Sequence, residues 1–417
     1  MSRTYVFIGL IAMAFSAQAQ NVLIRNATVH TAGSQGTLKD TDVLVQNGKI
    51  AAIGKNLPNP TNIASIQAQG KPLTPGLFAG INDIGLEEIS AENSSVDSNF
   101  SLKTGDSGLI ERFRPEFDVT RAYNPRSSLL AVARVGGMSF TALGTDGTLL
   151  PGQGGVMRLD GSYEPLRKIP YIVVGNSKLN QSGSTRAAQF MLLEQAFAEA
   201  KAPVPGDDRV LTAAGRNALN SAQLGSRFFV YVNREADIRQ VLIMARKTGI
   251  RVALVGAAEA WRMADELAAA KVPVFIDAMD NLPGSFEQLG ATDENAARLQ
   301  RAGVSVSFIN GNDASHNARK VRQIAGNAVA NGLPWEAGLA GITSAPAKAL
   351  GVDGQIGSIE VGKTADLVLW TGDPLDVSST AEVMWLAGKN TPLVSRQTRL
   401  RDRYMAPATS MPRAYQP

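Results

Sequence analysis

The 417-residue chain contains no cysteine and only two histidines, His30 and His316. The first absence excludes disulfides, thiolate nucleophiles and Cys-ligated zinc together. The second excludes any centre that needs three or more imidazoles. Basic clusters interleaved with aromatics are also missing, and a formal charge of +4 is small for this length, so no nucleic-acid partner is expected. Beyond the N-terminal segment no apolar run is long enough to span a bilayer.

What is there is a globular composition, 44% hydrophobic and 19% charged, on a chain long enough to bury a large core. The chain opens MSRTYVFIGLIAMAFSAQAQ. Arg3, the apolar run Tyr5 to Phe15 and the small-x-small Ala17-Gln18-Ala19 have the three-part form of an export signal, expected to be cleaved near Ala19. The apolar run is too short for a span, and the mature protein is expected outside the cytoplasm, in the periplasm of a Gram-negative source.

From Asn21 to Leu73, β-rich runs alternate with turns, and Asn47-Gly48 between LVQ and KIAAIG predicts a hairpin. His30 falls in this β unit as an ordinary strand or turn residue. From Arg227 the pattern becomes strand then helix, repeated: RFFVYV, RVALVG, VPVFID and VSVSFI each precede a helical stretch. Their near-continuous apolar character suits parallel strands buried on both faces. Gly249, Gly303 and Gly332 read as helix stops. With no Gly-rich phosphate loop, repeated βα units favour an α/β fold of the (β/α)8 barrel type, with a doubly wound sheet as the alternative. Residues 83–126 are polar and irregular, an expected excursion over the barrel mouth. The tail SRQTRLRDRY reads as a solvated edge strand with Arg399, Arg401 and Arg403 on one side.

The C-terminal stretch ITSAPAKALGVDGQIGSIEVGKTADLVLWTGDPLD carries Thr343, Pro346-Ala347, Leu350-Gly351, Gly357-Ser358, Gly362-Lys363, Ala365-Asp366 and Asp373-Pro374. This pattern resembles the amidohydrolase superfamily, in particular its imidazolonepropionase-like and dihydroorotase-like branches. VLIRNATVHT…VLVQNGKIAAIG, TPGLFAGIND and GGMSFTAL…PGQGGVMRLDG are similar to earlier parts of that family, in its order. The resemblance implies a TIM-like barrel at 74–351 and a small β-sandwich built from both chain ends, 20–73 and 352–417, after a signal peptide at 1–19.

It also implies a hydrolase acting on carbon–nitrogen bonds, other than ordinary peptide bonds, of cyclic amides or small acylated amines. Active members hold one or two divalent metals with a His-x-His, two later histidines, often a carboxylated lysine, and an aspartate. In this sequence the His-x-His places hold Ile81 and Asp83, and the later ones fall at Tyr231 or Asn233 and at Val255-Gly256. The aspartate corresponds to Asp313, with Asn312 the competing position. Two histidines cannot fill four places, so the usual His-ligated zinc centre is not expected.

Asp313 and His316 remain as catalytic candidates, His316 as a general base or, alternatively, as a residue in the first turn of the next helix bonded locally. Asp83, Glu87, Asp277 and Asp313 lie at or beyond strand ends. They would either form an oxygen-rich site for Mg²⁺, Mn²⁺ or Ca²⁺, or cap helices and pair with Arg234, Arg319 and Arg322. Ser139 and Ser315 lack a nucleophile elbow. Three functions stay open: a hydrolase with an atypical metal site or a metal-free carboxylate pair, a catalytically silent barrel that binds a small molecule or joins an active homologue in an oligomer, and a scaffold.

Overall fold

The structure is a computed structural model that describes residues 21–60, 63–98, 100, 113–145, 147, 149–175, 185–202, 209–311 and 314–405. The export signal read at 1–19, the catalytic candidate Asp313 with Asn312, and part of the polar excursion lie outside the described residues.

The N-terminal β unit comprises β1 (Val22–His30), β2 (Thr37–Gln46), β3 (Lys49–Gly54), β4 (Ala64–Gln67) and β5 (Pro72–Pro75). β2 and β3 form the expected hairpin, with Asn47 at φ 51° and Gly48 at φ 76°, the two left-handed residues such a turn requires. The chain then crosses at Gly76 into a second sheet without a linker.

That second sheet is the barrel: β6 (Leu77–Asn82), β7 (Met138–Leu143), β8 (Leu149–Arg158), β9 (Arg167–Val173), β10 (Arg227–Val232), β11 (Arg251–Gly256), β12 (Val274–Ile276) and β13 (Val306–Phe308). Its strands neighbour one another strictly in chain order. A doubly wound sheet needs a point where the order reverses, and there is none. Between the first and last strands the segment Gly341–Ile342 bridges the gap, its two carbonyls accepting from Phe308 N (3.0 Å) and Phe78 N (2.8 Å). The barrel departs from uniform βα repetition at one place: β8 runs antiparallel to both β7 and β9.

Alternation along the strands divides the core. Phe78, Phe140, Tyr171, Phe229, Ala253, Val255 and Phe275 point into the barrel. Leu77, Phe228, Val230, Val252, Leu254, Val274 and Phe308 belong to the layer shared with the helices. The helices Glu235–Thr248, Asn295–Arg301 and Val321–Ala330 are followed by Gly249, Gly303 and Gly332, all at positive φ as expected of helix stops.

After the barrel come β14 (Leu367–Trp370), β15 (Ala381–Leu386) and β16 (Lys389–Asn390). β14 lies antiparallel to β5, so strands from both ends of the chain share one sheet. The tail corrects the sequence reading: Arg396–Met405 is a helix, not an edge strand. Ser395 and Thr398 cap its start reciprocally, Ser395 N donating to Thr398 Oγ1 (2.9 Å) and Thr398 N to Ser395 Oγ (3.3 Å). The arginine-rich stretch behind that cap favours a helix. Among the described residues no helix is long and apolar enough to cross a membrane.

Candidate functional site

At the C-terminal end of the barrel strands a cavity of about 400 Å³ opens between β6, β7, β10 and the segment following β13. β6 supplies Ile81, Asn82 and Asp83. Asn82 is committed to the backbone: its side chain donates to Ala79 O (2.8 Å) and accepts from Thr141 Oγ1 (2.9 Å) and Ile84 N (3.1 Å). This fixes the sharp exit of the strand. Asp83 N donates to Ser315 Oγ (2.9 Å), which ties the first barrel strand to the segment after the last.

Asp83 and Tyr231 converge. A side chain starting at Gly144 would lie 3.7 Å from both Asp83 Oδ1 and Tyr231 Oη and 3.5 Å from Ile81. The bare backbone at Gly144 therefore leaves open the space where an acid and a phenol meet. Below them Tyr171 is fully buried, its hydroxyl donating to Leu143 O (2.9 Å) and its ring 5.9 Å from that of Tyr231. Burial, then Tyr231 and Asp83, push the Tyr171 hydroxyl well above the usual phenol range, so it stays protonated.

The other candidates separate. Glu87 lines the cavity, and His316 Nδ1 stands 3.6 Å from its Oε1. His316 Nε2 contacts Glu88 O at 3.2 Å, and the residue sits in the turn before the 3-10 segment Ala318–Lys320 rather than in a helix. Asp277 is turned to structural use, Oδ1 accepting from Met279 N (2.9 Å) and Oδ2 from Gly311 N (2.8 Å). Val255 is buried inside the barrel. Arg322, expected as a carboxylate partner, donates to the carbonyls of Pro374, Asp376 and Ser379. His30 ends β1 against the Trp335 ring (4.7 Å), and burial lowers its pKa. Ser139 is buried.

Thr145, Asn310 and Ala314 also border the cavity, none of them singled out in the sequence. Asn310 follows SFI, and Thr145 follows the end of β7 by two residues, so strand-end position was the available signal. Among the described residues no three His, Cys, Asp or Glu side chains gather as a metal-binding group. The residues described here do not fit a His-ligated metal pair.

Residues 213–395 match the model of the amidohydrolase family. A segment of 112 residues is 34% identical to an imidazolonepropionase of Maricaulis maris, covering 26% of each chain. Over these residues the chain is similar to the amidohydrolase superfamily. A further 109 residues' match, at 33% identity, is to the amidohydrolase tasK of Hapsidospora irregularis, covering 26% of this chain and 11% of that protein. The chain thus spans about a tenth and a quarter of the length of these relatives.

Among solved structures, an amidohydrolase from Thermotoga maritima superposes with a TM-score of 0.76 at 24% identity, covering 89% of this chain and 99% of that one. An adenosine deaminase from Xanthomonas campestris with bound zinc gives 0.51 at 18%, covering 92% and 98%. Both show the amidohydrolase barrel fold.

Proposed function

We propose that this amidohydrolase-superfamily barrel binds a small polar molecule bearing N–H donors, a cyclic amide or acylated amine, in its mouth cavity without a His-ligated metal centre. The observation that carries this reading is the convergence of Asp83 and Tyr231 over Gly144. In the family pattern the places of Asp83 and Tyr231 hold metal ligands. Here the carboxylate accepts hydrogen bonds from the ligand and the phenol can donate or accept. The buried aromatic rings beneath give the ligand an apolar floor, the usual composition of a small-molecule pocket.

One observation favours a second reading, hydrolysis of the ligand's carbon–nitrogen bond. Glu87 faces the same cavity with an imidazole nitrogen 3.6 Å behind it. That arrangement suits a carboxylate acting as general base toward water.

Binding and turnover are separable. Melting of the purified chain is followed with hydantoin, a cyclic imide and an acylated amino acid, before and after chelation. We expect at least one compound to raise the midpoint in a chelator-insensitive way and Asp83→Asn to abolish the rise. Stoichiometric divalent metal whose removal abolishes binding would sink the metal-free reading. Turnover lost in Glu87→Gln would establish the second reading over a silent binder.

The three-part composition of residues 1–19 supports export, which cell fractionation of the full chain tests. The family's habit of placing sites at one barrel mouth leaves room for a homologue as oligomeric partner, read by native mass and co-purification.

A further inference from the structure

At the opposite, N-terminal end of the barrel, three consecutive strands each begin on an arginine: Arg167 on β9, Arg227 on β10 and Arg251 on β11. Arg227 and Arg251 are direct partners across the parallel pair. Like charges side by side on a sheet are destabilising, so the arrangement calls for compensation.

The protein supplies little of it. Lys168 is paired with Asp118 at 2.7 Å. Among the described residues, no carboxylate lies within ion-pair distance of Arg167, Arg227, Arg251 or Lys348. Arg167 Nη2 (2.7 Å) and Arg251 Nη2 (2.8 Å) both donate to a single carbonyl, Gly225 O, at the C-terminus of the helix Ala213–Gly225. Arg227 Nη1 donates to Ala349 O (2.8 Å), while its Nε is buried with no hydrogen-bond partner. Burial, then Arg251 and Arg167, depress the pKa of Arg227. These side chains surround a cavity of about 120 Å³, completed by Lys348 and the backbone of Gly351. A Cβ at Gly351 would come within 3.0 Å of Arg167 Nη1, so glycine lets the guanidinium lie against the chain.

We propose that this basin is a binding site for a small phosphoryl dianion, either free phosphate or the phosphate group of a larger molecule, held by Arg167, Arg227, Arg251 and Lys348. Planar guanidinium forks match the oxygen geometry of phosphate, and a dianion relieves repulsion among three neighbouring cations at once. The basin lies across the barrel from the mouth cavity and is independent of what that cavity binds.

The test follows melting of the intact chain in potassium phosphate against potassium chloride at matched ionic strength, since surface charges respond to ionic strength alone. Glycerol 3-phosphate supplies the phosphomonoester arm. A saturable rise in midpoint is expected with phosphate and not with chloride, as for any ligand that binds only the folded state. Arg251→Ala and Lys348→Ala should each weaken the apparent affinity by about tenfold. Arg227→Met should abolish it. If that variant does not fold, the two exposed positions carry the test. Response to inorganic phosphate alone assigns the basin to the free ion, and response to the ester alone to a phosphorylated molecule. Equal midpoints in chloride, phosphate and glycerol 3-phosphate, or a rise undiminished in both exposed variants, overturn the proposal.

Discussion

Asp277 and Asp83 both follow barrel strands, yet they do different things. Asp277 accepts two backbone N–H groups, from Met279 and from Gly311, and so holds one wall of the mouth cavity in place from outside it. Asp277→Ala removes two backbone hydrogen bonds to a buried carboxylate, a loss of about 1–3 kcal/mol. Urea denaturation should show this as a lower midpoint with an unchanged slope. Position at a strand end was legible in the sequence for both carboxylates. Their roles were not, because a carboxylate that clamps a loop and one that faces a ligand obey the same positional rule. Tyr231 was legible only through the resemblance, which puts a ligand histidine at Tyr231 or Asn233.

The parallel strands from β10 to β13 were readable because apolar runs of β-branched and aromatic residues alternate with glycine-terminated helices. β8 was harder. Its sequence LLPGQGGVMR has three glycines, and a strand rich in glycine gives no periodic signal. The structure shows why at least one is needed: a Cβ at Gly154 would lie 1.8 Å from the carbonyl oxygen of Leu143. Backbone meets backbone there, and no side-chain rotation relieves it. Gly154→Ala should therefore cost at least ~1–3 kcal/mol and shift or unfold the β7–β8 pair, read by a lowered thermal midpoint. The tail was misread because the i, i+2, i+4 spacing of Arg399, Arg401 and Arg403 suggests an extended strand, whereas Arg396, Arg399 and Arg403 have the i, i+3, i+7 spacing of a helix face. The reciprocal Ser395–Thr398 cap is the local feature that decides between them.

At the scale of the molecule, the shared sheet and the barrel are joined through a buried carboxylate. Asp366 Oδ1 accepts from Arg158 Nη2 (2.7 Å), which belongs to β8, and from Ala387 N (2.7 Å), just beyond β15. Within the shared sheet, Trp370 Nε1 on β14 donates to Thr74 Oγ1 on β5 (2.9 Å). Burial raises the pKa of Asp366 above its ordinary 3.8, and Arg158 and the Ala387 N–H only partly offset this. Its contribution is therefore fully present below the ordinary 3.8 and is lost as pH rises through the raised folded-state pKa. Arg158→Met removes the compensating charge. We expect it to destabilise the protein by about 3–5 kcal/mol near neutral pH and progressively less toward pH 4, measured by denaturation across that range.

The rings of Phe140, Phe78, Phe275, Phe229, Tyr171 and Tyr231 touch in sequence at centroid distances of 5.2–6.1 Å, filling the barrel from wall to wall. On β10 alone, Arg227 borders the basin and Tyr231 the mouth, with Phe229 between them. The barrel is thus two cups set base to base, not a tube. Nothing that enters one cup can leave through the other, so any reactant and its product at the mouth must use the same doorway in turn. Product would then compete with substrate for entry.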